Sequence, residues 1–61
     1  MAYMRGNEYW PDMGESVTGL LPDICRVARE RGGIILCHNT QRITVTRNDT
    51  PATVLVKLGF K

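Results

Sequence analysis

The rhythm of apolar and polar positions changes three times along the chain. Residues 1–15 show no period: Tyr3, Tyr9 and Trp10 are dispersed among charges, and Gly6, Pro11 and Gly14 punctuate the run. This stretch predicts an irregular N-terminal arm or loop. From Thr18 the spacing becomes helical, with Leu20, Ile24, Val27 and Arg31 on one set of turns and Leu21, Cys25 and Ala28 on another. Ser16 or Thr18 can cap the start, Pro22 is read as falling in the first turn, and Gly32 supplies the left-handed residue that closes a helix. The pattern predicts one helix from about residue 18 to residue 31.

After Gly33 β-branched residues dominate. "GIILCH" reads as a strand, Asn39-Thr40-Gln41 as its turn, and "RITVTR" as a second strand with Ile43 and Val45 on one face and Arg42, Thr44 and Thr46 on the other. "NDTPA" reads as a loop. "TVLVKLGF" alternates again, which predicts a third strand with Val54, Val56, Leu58 and Phe60 inward and Leu55 and Lys57 outward. The expected fold class is α+β: a two-layer body over residues 16–61, one helix packed on a three-stranded antiparallel meander, α-β-β-β, behind the irregular arm. The 61 residues make a single small domain.

One feature sits badly with two layers. The first predicted strand is apolar on both sides, with Ile34 and Leu36 pointing one way and Ile35 and Cys37 the other, and Leu55 adds an apolar group on the outward face of the last. A strand apolar on both sides normally has both sides covered. The cover expected here is the aromatic arm, a second copy in a homodimer, or another partner.

Charge sharpens this. The net charge is +2, but residues 1–24 carry Arg5 against Glu8, Asp12, Glu15 and Asp23, a net of −3, while residues 25–61 sum to +5. An acidic arm folding back over the basic body of its own chain or of a neighbour is the simplest consequence. No run approaches membrane-span length and the N-terminus lacks the apolar core of a signal peptide, so a reduced, cytoplasmic protein is expected.

The candidate chemistry is sparse. Cys25, Cys37 and His38 are three possible metal ligands where a structural site normally takes four in paired spacings, and adjacent strand residues diverge. Core packing for the cysteines, with no metal and no cofactor, is expected. One histidine and no closely spaced carboxylate pair leave little for acid–base catalysis, so no enzyme is expected. Gly14-x-x-x-x-Gly19 lacks the Lys-Ser/Thr and the preceding strand of a phosphate loop.

Two binding surfaces remain. Tyr3, Arg5, Tyr9, Trp10 and Met13 are the residue types that dominate protein interfaces, although the same aromatics would also serve to cover the protein's own sheet. Arg26, Arg29, Arg42, Arg47 and Lys57, with Lys61, could form a basic face for nucleic acid, without any recognised nucleic-acid motif. The leading expectation is a small homodimeric binding protein of inhibitor or accessory type that occupies the surface of a protein partner. The alternatives are a nucleic-acid-binding regulator and a ligand or metal binder with its site between subunits. No motif is specific to a known family.

Overall fold

In the computed structural model, which describes residues 2–59, six elements follow one another: β1 (Tyr3–Arg5), β2 (Glu8–Trp10), α1 (Val17–Arg31), β3 (Ile34–His38), β4 (Gln41–Val45) and α2 (Pro51–Lys57). The four strands form one sheet in the order β1-β2-β3-β4. The class is α+β, with a four-stranded sheet and two helices.

The helix and the central hairpin lie where the periodicity predicts them. Helix α1 begins after Ser16 and ends at Gly32, whose φ of 77° is the left-handed conformation that suits glycine. The Ser16 side chain makes no cap bond to the helix; its hydroxyl pairs instead with that of Thr18 at 2.6 Å. Pro22 lies inside α1, beyond the first turn, so the backbone bond that residue 22 would donate is missing. Strands β3 and β4 pair antiparallel across Asn39-Thr40, with Ile34 opposite Val45 and Leu36 opposite Ile43.

Two expectations are corrected. The N-terminal segment is not irregular: residues 3–10 form a β-hairpin, with Tyr3 opposite Trp10 and Arg5 opposite Glu8. Its two-residue loop is Gly6-Asn7, and Gly6, at φ 62°, meets the positive-φ demand that such a loop places on its first position. Next, residues 51–57 are helical, so the meander lacks its third strand. Here the capping chemistry outweighs the alternation. Thr50 and Thr53 bond each other's backbone N–H in a capping box, and Pro51 opens the helix with its φ already set. Val54 and Leu58, four residues apart, then reach the core, while Val56 is 71% exposed. The inward placement of Phe60 and the charge of Lys61 lie outside the described residues.

Strands β2 and β3 are parallel, with Glu8 beside Ile35 and Tyr9 beside Leu36. Helix α1 is the crossover that a parallel pair requires. The pairings put Met4, Tyr9, Ile34, Leu36, Ile43 and Val45 on one face. With Ile24, Cys25 and Ala28 of α1, Val54 of α2 and Leu58 just after it, they build an apolar core. Leu55, expected on a wet sheet face, packs against this core from α2. Both helices therefore cover the same side of the sheet.

A candidate docking face on the helix-free side of the sheet

The opposite face of the sheet carries Tyr3 and Arg5 from β1, Glu8 and Trp10 from β2, Ile35 and Cys37 from β3, and Arg42 and Thr44 from β4. No helix covers it. Its own side chains do part of that work. The Arg42 guanidinium pairs with the Glu8 carboxylate across the intervening strand β3. Because Glu8 stands beside Ile35 and Arg42 beside Cys37, this ion pair runs diagonally over both apolar residues. Cys37 is left only 5% exposed and Ile35 half-buried. The doubly apolar strand thus finds part of its second cover within the chain, and an acidic residue of the arm does meet a basic one of the body.

The Trp10 indole N–H donates to Glu8 Oε1 at 3.0 Å. The Arg42 bond, and after it the Trp10 bond, hold the Glu8 carboxyl below its ordinary range. Tyr3 stacks on Trp10 with ring centroids 6.3 Å apart and planes 8° from parallel. Trp10 is anchored on one side by Glu8 and on the other by Tyr3, whereas Tyr3 remains 52% exposed at the sheet edge. Aromatic rings held in one rotamer with a face still in solvent lose little freedom on binding, which is what makes them effective contacts.

The residues expected to bind a partner therefore separate. Tyr3, Arg5 and Trp10 share the helix-free face. Tyr9 does not: it is 2% exposed, packed in the core, and its hydroxyl donates to Asp23 Oδ2 at 2.8 Å. Burial, and then that bond, push its phenol well above the ordinary value. Met13 stands 98% exposed in the loop after β2. Glu8 was not among the expected site residues, yet it organises the face. The available signal was the Gly-Asn pair between two three-residue runs, a hairpin signature that puts Tyr3, Arg5, Glu8 and Trp10 on one side.

The basic residues are likewise dispersed. Arg26 lies on α1 and is engaged by Asp23 and Glu30, Arg42 lies across the sheet on Glu8, and Lys57 of α2 pairs with Asp49 at 2.7 Å. Arg29 is exposed on α1 and Arg47 in the turn after β4. The sheet separates Arg42 from Arg26 and Arg29, so the five do not form one surface.

The cysteines sit on opposite sides of the sheet, Cys25 in the core and Cys37 beneath the Glu8–Arg42 pair; the expectation that both face one core is thereby corrected for Cys37. Burial raises both thiols above their ordinary value. At the end of β3 a cleft of about 250 Å³ is bordered by Trp10, Met13, Cys37 and His38. His38 Nδ1 is buried there without a hydrogen-bond partner among the described residues. Among those residues no group of three His, Cys, Asp or Glu side chains is placed to hold a metal ion, and no helix is long and apolar enough to cross a membrane. Comparison with known protein families, curated proteins and solved structures finds no match for this chain.

Proposed function

We propose that this protein is a non-enzymatic binding module, of inhibitor or accessory type, that docks on a protein partner in the cytoplasm through the helix-free face of its sheet. The observation that carries this reading is the Tyr3–Trp10 stack, held in place by Glu8 and flanked by Arg5. Tyrosine, tryptophan and arginine in a pre-ordered cluster are the composition of an interface hot spot. Ile35 and Thr44 extend the face beyond the stack. The nucleic-acid alternative is weaker, because Arg26, Arg42 and Lys57 are already held by carboxylates and no continuous basic surface runs between them.

The test is affinity capture from a native lysate at low and high salt, with and without nuclease, comparing wild type with Tyr3→Ala and Arg29→Ala. The expected result is a discrete protein that survives nuclease and moderate salt, is retained by Arg29→Ala, and is lost or weakened by more than about tenfold with Tyr3→Ala. Capture that is nuclease-sensitive, carries absorbance near 260 nm and falls steeply with salt would favour the nucleic-acid reading instead. Capture unaffected by Tyr3→Ala would remove this face from consideration.

A further inference from the structure

An open sheet has two edges, and this one treats them differently. At β4 the Lys57 ammonium donates to the Thr44 carbonyl at 2.9 Å. A lysine occupying a backbone acceptor of an edge strand discourages the addition of another strand. Among the described residues, β1 has no such cover; the nearest side-chain donor, Arg31, reaches only the Gly6 carbonyl in the turn, at 3.4 Å.

The hairpin register says which groups β1 leaves open. Arg5 and Glu8 close a two-residue loop and so form a hydrogen-bonded pair; the next pair, Met4 and Tyr9, is of the non-hydrogen-bonded kind. The N–H and C=O of Met4 therefore point away from β2, toward the free edge. Tyr3 and Arg5 flank Met4 and project on the helix-free face. Tyr3 is exposed, and Arg5 is exposed with no ion-pair partner among the described residues.

We propose that β1 pairs antiparallel with β1 of a second copy of this chain, about a two-fold axis at Met4. This register is self-complementary, as a two-fold contact must be. Met4 N–H donates to the Met4 carbonyl of the second copy and receives the reciprocal bond. Tyr3 falls opposite Arg5 of the second copy, and Arg5 opposite its Tyr3, so each guanidinium lies against a ring while the two arginines stay apart. The Trp10–Tyr3 stack of each chain is thereby extended by the other's Arg5, and two four-stranded sheets become one of eight strands. The pairing shares Tyr3 and Arg5 with the proposed docking face but is argued from the open edge of β1, and it would place two aromatic pairs on one continuous surface. The concentration-dependent shift map, which needs no partner, tests it apart from that reading.

The pairing strands are three residues long, so the contact is at the small end of specific interfaces, and association is expected at protein concentrations on the order of 1 mM. Sedimentation equilibrium, together with amide chemical shifts followed against concentration, reads it directly. The expected result is a dimer whose concentration-dependent shifts concentrate on Tyr3, Met4 and Arg5. Tyr3→Arg sets arginine opposite arginine and should weaken association by at least about tenfold, while the exchanged pair Tyr3→Arg with Arg5→Tyr should restore it. A wild type that stays monomeric would overturn the proposal, as would shifts centred on Val56 of α2 or on Ile35 and Thr44 of the open face. Undiminished association of Tyr3→Arg, or failure of the folded exchange variant to recover, would overturn it too. If Tyr3→Arg does not fold, the wild-type shift map decides by itself.

Discussion

Tyr9 shows how much depends on the direction of one side chain. From Glu8-Tyr9-Trp10 alone, either aromatic could face the partner, because three residues are too few to reveal a period of two. Pairing of Tyr9 with Met4 on one side and Leu36 on the other turns it into the core, and a buried hydroxyl there needs a partner, which Asp23 supplies. Asp23 is held below its ordinary range first by Arg26 and then by this hydroxyl. Because the folded phenol is pushed above its ordinary value of 10.0, folding favours its protonated form. The stabilisation is complete below pH 10 and is lost as pH rises beyond it. Tyr9→Phe is expected to cost about 1 kcal/mol at pH 7, the net worth of one hydrogen bond. The variant should also lose part of the alkaline destabilisation. Chemical denaturation at pH 7 and pH 11 checks both; equal alkaline losses in the two proteins would show that ionisation of Tyr9 does not set the alkaline limb.

Among the elements, α1 and the β3–β4 hairpin were legible because each carries several agreeing signals. In α1 these are the three-to-four spacing of Leu21, Ile24 and Ala28 and the glycine at its end; in the hairpin, the alternation of Ile43 and Val45. Element α2 was not, since Val54, Val56 and Leu58 fit a strand while Val54 and Leu58 also fit one side of a helix. The tie is broken at its start. Asp49 accepts from the Thr46 N–H at 2.8 Å and from the Thr53 hydroxyl at 2.7 Å, and pairs with Lys57. These bonds, led by Lys57, depress its pKa strongly. The depressed value means stability that is present above the ordinary carboxylate pKa of about 4 and is lost progressively as pH falls below it. Asp49→Ala should destabilise the fold by about 2 kcal/mol, in line with the loss of charged hydrogen bonds at a helix start. It should also flatten the acid limb of the stability profile, measured by thermal unfolding between pH 2 and pH 7. An unchanged acid limb would mean that another carboxylate sets it.

At the scale of the molecule, the missing piece was the N-terminal hairpin. A parallel neighbour for β3 cannot be inferred from local alternation, because the pairing joins residues on either side of a whole helix. The doubly apolar strand did signal that something must cover its second face. The structure answers with the diagonal Glu8–Arg42 pair and with Trp10 beside it. Of the candidate docking residues, Tyr3, Arg5 and Trp10 were identified by residue type alone. Glu8, which orders them, needed the register.

The parallel junction has a consequence for how the molecule opens. The register between β2 and β3 spans only Glu8–Ile35 and Tyr9–Leu36, with Asn7 accepting from the Ile35 N–H, whereas β3 and β4 are paired over five positions. A short N-terminal ribbon is thus joined to a larger block of α1, β3, β4 and α2 by a short backbone seam, with the Tyr9–Asp23 bond and the Glu8–Arg42 pair as side-chain ties. Local unfolding follows the least-secured boundary. Amide hydrogen exchange should therefore show Tyr9 and Ile35, whose N–H groups face the seam, exchanging through a partial opening well below the global unfolding energy, while Leu36 and Val45 exchange only with the whole block. The seam that completes the candidate docking face is then also the place where that face is expected to come apart first.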